Sequence, residues 1–372
     1  MQHPAEAAAA ATPAETPAPQ EPPKFELNTS RQFPDWLIEH KCSLLFTTYQ
    51  AGKLFLIGTQ KNGQLSVFER TFPRCMGLCL NGSTLYMSSL YQIWRFEDAL
   101  LKGQAYQEYD AVYVPKMSYV TGDLDVHDMA IDKNGELIFV NTLFSCLSQA
   151  SVTHSFKPLW KPPFISKFAA EDRCHLNGLA MENGEPRFVT CVAQADVHEG
   201  WREHREKGGS VIDVKTGKTV CTGLSMPHSP RLYQGKLWLL DSGSGYFGYV
   251  DLKKGQFERV AFCPGYARGL SFIGDFAVVG SSKCRQNGTF SGLDLDKNLA
   301  DKKVEARCGL HVIDLRTGDI VHSLRMEGVV EELYDVVVLE QHIRPMAIGF
   351  KSDEIRRMIS VQDNPELTAK KK

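Results

Sequence analysis

The chain has 372 residues, of which 43% are hydrophobic and 23% charged, and its 42 basic and 44 acidic residues leave a formal net charge of −2. This hydrophobic share is large enough to bury a core and excludes disorder along the whole length. The balanced charge does not support a nucleic-acid or anionic-membrane partner, and no stretch holds the roughly 18 uninterrupted apolar residues of a transmembrane helix.

The first 24 residues are rich in Ala and Pro and carry Glu6, Glu15 and Glu21. They lack the basic start and the unbroken apolar stretch of a secretory signal. Residues 1–24 are therefore predicted to be a disordered tail.

Ten cysteines are spread along the chain without a C-x-x-C pair, and the closest two are Cys75 and Cys79. Without a secretory signal, this pattern predicts reduced thiols in a cytoplasmic protein rather than a zinc ribbon or a disulfide framework. No Gly-rich phosphate loop is present, so no nucleotide cofactor is expected.

Six short segments recur in which polar residues precede a small residue and an apolar run. They are MGLCL (76–80), HDMAI (127–131), NGLAM (177–181), HSPRL (228–232), RGLSF (268–272) and YDVVV (334–338). Successive segments start 40 to 66 residues apart, which is typical of four-stranded propeller blades with unequal loops. Strand-like runs and turns such as Lys133-Asn134-Gly135 follow the segments, as expected for hairpins.

The two ends of the chain complement each other. SLLFTTYQ, KLFLIGT and QLSVFERTF near the N-terminus are three strands without an innermost strand, whereas YDVVVLE near the C-terminus is an innermost strand without followers. Joined, they make a sixth blade and leave no sheet edge at the seam. We predict an all-β, six-bladed β-propeller over residues 25–350, followed by a charged tail at 351–372. The alternative is a β-sandwich or two small β domains.

The first residue of each segment, here called its ring residue, is predicted to face one mouth of the central channel. The ring residues are Met76, His127, Asn177, His228, Arg268 and Tyr334. Two positions earlier, on the same side of each strand, are Arg74, Asp125, His175, Met226, Tyr266 and Glu332. Three histidines from consecutive blades thus converge on one mouth.

Neutral imidazoles are common metal ligands, so His127, His175 and His228 are predicted to bind a divalent transition metal, namely Zn, Fe, Cu or Mn. Glu332 would be a fourth ligand or a general base, and Arg268 would position the substrate. Asn177 and Tyr334 complete the predicted catalytic set, and the predicted substrate-binding residues are Arg74, Arg231 and Asp125. A metal-free ligand site and a structural polar lining are the alternatives.

Two long loops, residues 192–208 and 283–307, could cover the mouth as lids. Plain surface insertions explain their length equally well.

Several stretches resemble a bacterial family of conserved hypothetical proteins with a six-bladed propeller architecture. They include TTYQAGK, EDRCHLNGLAMENG and GLSMPHSPRLYQGKLWLLDSGSG, and the resemblance covers roughly residues 25–345. More distantly, HDMAIDKNGELIFV is similar to blades of gluconolactonase/regucalcin and NHL-type propellers. That resemblance implies a divalent metal held by carboxylate and asparagine ligands. Asn177 and Glu332 match this pattern, whereas the three histidines depart from it and suit a softer transition metal.

The sequence thus predicts a metal-dependent enzyme that acts at the channel mouth on a small anionic or peptide-like molecule. Hydrolysis or lactone opening, isomerisation and oxidation are the candidate reactions. The alternative is a non-catalytic propeller that binds a ligand or a partner protein.

Overall fold

The computed structural model describes residues 25–283 and 291–362. The predicted N-terminal tail and residues 363–372 of the predicted C-terminal tail lie outside these ranges. The strands, in chain order, are β1 (Glu26–Thr29), β2 (Cys42–Thr48), β3 (Lys53–Thr59), β4 (Leu65–Thr71), β5 (Leu78–Asn81), β6 (Thr84–Ser88), β7 (Gln92–Asp98), β8 (Ala111–Val120), β9 (Val126–Ile131), β10 (Leu137–Asn141), β11 (Cys146–Gln149), β12 (Lys157–Trp160), β13 (Leu176–Glu182), β14 (Glu185–Cys191), β15 (Gly209–Asp213), β16 (Thr219–Leu224), β17 (Pro227–Tyr233), β18 (Lys236–Asp241), β19 (Tyr246–Asp251), β20 (Gln256–Phe262), β21 (Tyr266–Ile273), β22 (Phe276–Ser282), β23 (Cys308–Asp314), β24 (Ile320–Glu327), β25 (Leu333–Glu340) and β26 (Pro345–Ala347).

Helical structure is sparse in the described part of the chain. It consists of α1 (Phe33–Glu39), α2 (Asp294–Lys302) and two 3₁₀ turns at Gly200–His204 and Asp353–Arg356. None of the helices in residues 25–283 and 291–362 has the length and apolar character that crossing a bilayer requires.

The strands form six sheets, which are the blades of a β-propeller. Blades 1 to 5 contain β5–β8, β9–β12, β13–β16, β17–β20 and β21–β24, and blade 6 joins β25 to β2–β4. The six-bladed fold and its closure by N-terminal strands and a C-terminal innermost strand are therefore confirmed. The sandwich alternative is wrong, because the sheets are arranged around an axis rather than packed as two layers.

The core of the molecule is divided among the junctions between neighbouring blades. Each of the six junctions holds a cluster of buried apolar side chains. At the junction of blades 4 and 5, for example, Trp238 and Leu240 pack with Leu270 and Val279. The strands carry apolar residues toward both neighbours, which explains why several of them, including β2 and β23, are buried throughout.

Hydroxyl side chains tie the innermost strands together around the channel. A Ser or Thr at or beside the end of a blade's second strand donates to a backbone carbonyl at the start of the next blade. Among the described residues these bonds join Thr47 to Met76, Ser88 to Val126, Thr142 to Leu176, Ser242 to Ala267 and Ser282 to Leu333. Each of these bonds fixes the start of an innermost strand to the neighbouring blade.

The position after the ring residue alternates between glycine and a polar side chain. Asp128, Ser229 and Asp335 each accept a hydrogen bond from a backbone N–H of the next blade, at 3.0, 3.2 and 2.8 Å. Gly178 stands at one of the intervening positions, where a Cβ would lie 2.2 Å from Cδ of Pro230. The small residues that mark the repeat therefore allow close contact between innermost strands.

Both terminal segments strengthen the seam around blade 6. β1 adds a fifth, antiparallel strand to blade 5 beside β24, and β26 adds a fifth, parallel strand to blade 1 beside β8. Met346 and Ile348 are buried against Val112 and Val114 of β8. Blade 5 thus gains a strand from the N-terminal segment, which also supplies β2–β4 of blade 6. Blade 1 gains a strand from the C-terminal segment, which also supplies β25 of blade 6.

Candidate functional site

A cavity of about 320 Å³ lies where the innermost strands begin, at one mouth of the channel. Its lining contains six of the predicted site residues: Asp125, His127, His175, Arg268, Glu332 and Tyr334. The other lining residues are Tyr49, Leu143, Asp172, Glu199, Trp201, Arg202 and Met226.

The remaining predicted residues lie around this cavity or away from it. His228 lies behind His127, with the ring centroids 6.3 Å apart, and Asn177 accepts a hydrogen bond from Thr190 at 2.7 Å. Arg74 is near the cavity, with its guanidinium 5.8 Å from the ring centroid of the lining residue Tyr49. Arg231 lines a different cavity of about 350 Å³, formed further along the innermost strands.

The backbone before the ring residues turns sharply in four blades. Arg74, Asp125, His175 and Met226 have φ values of 49°, 53°, 49° and 46°, in the left-handed region that non-glycine residues rarely adopt. Such a conformation costs of order 1–3 kcal/mol at each residue and often occurs at functional sites. It directs the carbonyl groups of Asp125 and Met226 toward the imidazoles that follow two residues later.

Two of the imidazoles are held at Nδ1 in the same way. His127 Nδ1 lies 2.9 Å from the carbonyl oxygen of Asp125, and His228 Nδ1 lies 2.8 Å from that of Met226. Because a carbonyl only accepts, these contacts assign the hydrogen to Nδ1 and leave the lone pair on Nε2. Hydroxyls of Thr142 and Ser242 add a second contact to the respective Nδ1 atoms.

His175 is held by a carboxylate instead. Its Nδ1 lies 2.8 Å from Oδ2 of Asp172, and the same oxygen accepts a hydrogen bond from Nε1 of Trp201 at 2.8 Å. The imidazole also packs on the Trp201 ring, with centroids 4.3 Å apart. A carboxylate acceptor places the hydrogen on Nδ1 of His175 as well.

The structure brings the three predicted metal ligands together. The ring centroids of His127 and His175 are 4.8 Å apart, and the His228 ring is stacked beside His127. Within residues 25–283 and 291–362, however, no three His, Cys, Asp or Glu side chains already form a group that could hold a metal ion. The predicted metal thus stays a prediction.

Burial keeps two of the imidazoles neutral. It lowers the pKa of His127 to about 4, although the Asp125 carboxylate opposes the shift. Burial also lowers the pKa of His228 well below its ordinary value, and the positive charge of Arg268 adds to the effect. Both rings therefore offer an Nε2 lone pair at neutral pH.

Arg268 and Tyr334 form a second part of the site. The guanidinium lies 4.8 Å from the Tyr334 ring centroid and 5.2 Å from that of Tyr266. Burial works against the charge of Arg268, but Tyr266, Tyr334 and Glu332 outweigh it and raise its pKa. Burial raises the pKa of Tyr334 well above its usual value, so its hydroxyl stays protonated.

Some ring residues carry buried polar atoms that have no hydrogen-bond partner in the described part of the chain. Nδ2 of Asn177, Nε2 of His228 and the hydroxyl of Tyr334 are among them. These side chains belong to residues that are only 2%, 4% and 5% exposed. An orphaned buried polar group costs roughly 1–3 kcal/mol, so the ring retains unused hydrogen-bonding capacity.

The two long loops lie together beside the cavity. Trp201, on the 3₁₀ turn of the first loop, shares a buried cluster with Leu293 and Leu295 of the second. Arg205 also donates a hydrogen bond to the carbonyl oxygen of Ser291 at 3.0 Å. Residues 284–290 of the second loop lie outside the described residues.

Asp172 and Trp201 are site residues that the sequence analysis did not assign. Asp172 precedes His175 by three residues in EDRCHLNG, and this spacing is the one local signal for their contact. Trp201 belongs to a loop already considered as a lid, but nothing local indicates that its indole reaches His175.

Comparisons with solved structures show the propeller fold alone. A chain of a nidogen/laminin complex is 12% identical, with 81% of this chain and 99% of that chain covered and a TM-score of 0.50. A protein of unknown function from Bacteroides caccae is 10% identical, covering 80% of this chain and 98% of its own, with a TM-score of 0.48. Virginiamycin B lyase from Staphylococcus aureus is 10% identical, covering 82% and 100% respectively, with a TM-score of 0.37.

A comparison with curated protein sequences gives no match. A family model described as "Domain of unknown function (DUF4915)" matches residues 31–348, which span all six blades. The chain therefore belongs to the DUF4915 family.

Proposed function

We propose that the protein is a metal-dependent enzyme whose reaction takes place in the cavity at the channel mouth. His127, His175 and His228 would hold a divalent transition metal through their Nε2 atoms. One observation carries this proposal: an oxygen acceptor holds each of the three imidazoles at Nδ1. Metal-binding histidines are held in this way, because a bond at one nitrogen orients the other toward the ion.

The donor set and the charge of the lining support the same proposal. Nε2 of His228 is buried and lacks a partner among the described residues, and neutral nitrogen donors suit Zn, Fe, Cu or Mn. The lining holds four carboxylates and two guanidinium groups, a formal charge of −2 that a divalent cation would balance. Since no ready metal group exists among the described residues, loading requires the imidazoles to move toward one another.

The other residues at the mouth would bind and orient a small anionic or peptide-like substrate. A bound divalent ion would polarise a carbonyl group or lower the pKa of a water molecule. The Arg268 guanidinium would bind an anionic group, Glu332 would accept a proton, and the Tyr334 hydroxyl would donate one. These roles serve hydrolysis or lactone opening, isomerisation or oxidation.

A second candidate is a metal-free propeller that binds a small ligand or a partner protein without catalysis. One observation favours it: the positive charge of Arg268 acts directly on His127 and His228. A cation at that position repels a metal ion. In this case the imidazoles would accept hydrogen bonds from the ligand.

Elemental analysis separates the two candidates. The protein is purified without a metal-binding tag, incubated with Zn²⁺, Mn²⁺, Fe²⁺ or Cu²⁺, desalted and analysed by mass spectrometry. We expect one stoichiometric metal in the wild type and in the exposed control His154→Ala, and its loss in His127→Ala, His175→Ala and His228→Ala. A wild type that retains none of the four metals refutes the metal-dependent enzyme.

A further inference from the structure

Asp172 lies between the metal site proposed above and the loop at residues 192–208. One of its carboxylate oxygens, Oδ2, accepts hydrogen bonds from both Nδ1 of His175 and Nε1 of Trp201. The backbone N–H groups of Glu171 and Asp172 both bond to the carbonyl oxygen of Leu143 in blade 2. The carboxylate is therefore anchored to a rigid part of the propeller and is joined to two groups that face the cavity.

We infer that Asp172 is a positioning residue of the site, which sets the tautomer of His175 and fixes the loop at residues 192–208 over it. This inference rests on the proposed function only where metal affinity is concerned. A single oxygen atom, Oδ2 of Asp172, keeps Nε2 of His175 available to a ligand and holds the Trp201 indole against the imidazole.

The second carboxylate oxygen of Asp172 takes no part in these two hydrogen bonds. Oδ1 of Asp172 is buried and has no hydrogen-bond partner among the described residues. The hydrogen bonds to His175 Nδ1 and Trp201 Nε1 therefore both go to Oδ2. A carboxylate that accepts from Nδ1 makes Nε2 a stronger ligand.

The contact with Trp201 connects Asp172 to the whole loop. Trp201 is 2% exposed and packs with Met226, Tyr266 and Leu295. The backbone N–H of Glu199 also bonds to the carbonyl oxygen of Glu171 at 2.9 Å. A displacement of the loop would thus remove one of the two donors that orient the carboxylate.

Asp172→Asn tests the inference, because it keeps the size of the side chain but removes its charge. Asp196→Asn is the matched control, since Asp196 anchors the same loop through Arg173 and Ser166 without touching His175. Co²⁺ is titrated into metal-free protein, and its visible absorption is followed. We expect Asp172→Asn to weaken Co²⁺ binding by about 10–100-fold, Asp196→Asn to leave it unchanged and Asp172→Glu to restore part of the loss.

A second measurement does not need the metal. ¹⁵N NMR of the histidines in metal-free protein shows which ring nitrogen of His175 carries the hydrogen. We expect Nδ1 in the wild type and in Asp196→Asn, with a larger share of the Nε2–H form in Asp172→Asn. A wild type that binds no Co²⁺ would refute the proposed function alone, whereas an unchanged His175 tautomer in Asp172→Asn would refute the inference.

Trp201→Phe tests the contact with the loop, because it keeps an aromatic ring on His175 but removes the N–H donor. We expect faster tryptic cleavage after Arg202 and Arg205 than in the wild type, with the His175 tautomer preserved. Cleavage at the wild-type rate would show that Asp172 does not hold the loop, and would overturn that half of the inference.

Discussion

Arg231 of β17 donates hydrogen bonds of 2.7 and 3.0 Å to the two carboxylate oxygens of Asp128 on β9. These strands belong to blades 4 and 2, so the pair crosses blade 3 inside the channel. Asp128 is 3% exposed, and its oxygens also accept from the backbone N–H groups of Met129 and Leu179. Arg231 therefore links the innermost strands of blades 2 and 4 below the mouth, and the substrate-binding role that the sequence predicts for it stays a prediction.

Arg231→Met would leave the Asp128 charge buried without its partner. Removing one member of a buried pair typically costs about 3–5 kcal/mol, because the remaining charge stays desolvated. We expect a loss of this size in the free energy of unfolding, measured by urea denaturation. The double variant Asp128→Asn/Arg231→Met should lose less than the sum of the two single variants, since it leaves no unpaired charge. Additive losses would show that the two side chains act independently.

The repeat was readable from the sequence because each blade begins with the same local pattern. In alternate blades a glycine after the ring residue, as at Gly178, allows close contact between innermost strands. The ion pair of Arg231 was not readable in this way. Its partner Asp128 lies 103 residues earlier in the chain, and only the assembled ring brings the two side chains together.

Asp335 is expected to make stability depend on pH. Its carboxylate bonds to the backbone N–H groups of Leu78 and Val336 at 2.8 and 2.9 Å. Burial raises its pKa to about 7, with Arg231 opposing the shift and Asp128 adding to it. In the unfolded chain the pKa is about 3.9, so the contribution of Asp335 to stability is full below that pH and is lost as the pH rises through about 7.

Urea denaturation of the wild type and Asp335→Asn between pH 5 and 8 measures this contribution. The wild type should lose stability relative to the variant as the pH rises, with a slope of at most about 1.4 kcal/mol per pH unit. Both proteins share the other titrating groups, so the contributions of those groups to the pH dependence cancel in the comparison. Parallel curves would mean that the carboxylate does not change its protonation differently in the folded and unfolded chain.

The segment after blade 6 is expected to stabilise the seam. Ile348 is fully buried beside β8, and the replacement of such a side chain by Ala costs about 2–5 kcal/mol. Ile348→Ala should lower the free energy of unfolding by this amount. The matched control is Ile359→Ala, which alters a residue that is 79% exposed and should shift stability by less than about 0.5 kcal/mol. Equal effects of the two variants would show that the segment does not support the fold.

The candidate site was predicted in part, for a similar physical reason. The ring alignment places His127, His175 and His228 on one mouth because period-2 alternation along each strand determines the direction of a side chain. It gives no information about Asp172 or Trp201, which lie in connections between strands. Their positions depend on tertiary contacts with Leu143 and Met226 that no local pattern contains.

The buried hydroxyl of Tyr334 is expected to lower the free energy of unfolding. Its hydroxyl is buried without a hydrogen-bond partner among the described residues, and such a group carries a desolvation cost of about 1–3 kcal/mol. Tyr334→Phe removes the hydroxyl but keeps the ring beside Arg268. We therefore expect the free energy of unfolding to rise by about 1 kcal/mol, whereas the proposed proton donation at this position would be lost.

Tyr233→Phe is the control for this prediction, because the Tyr233 hydroxyl donates a hydrogen bond of 2.7 Å to the carbonyl oxygen of Gly274. Its removal should lower the free energy of unfolding by about 0.5–1.5 kcal/mol. Opposite signs for the two tyrosines, measured by urea denaturation, would indicate that the Tyr334 hydroxyl serves a ligand rather than the fold. A loss of stability in Tyr334→Phe equal to that in Tyr233→Phe would assign this hydroxyl a structural role and remove it from the catalytic set.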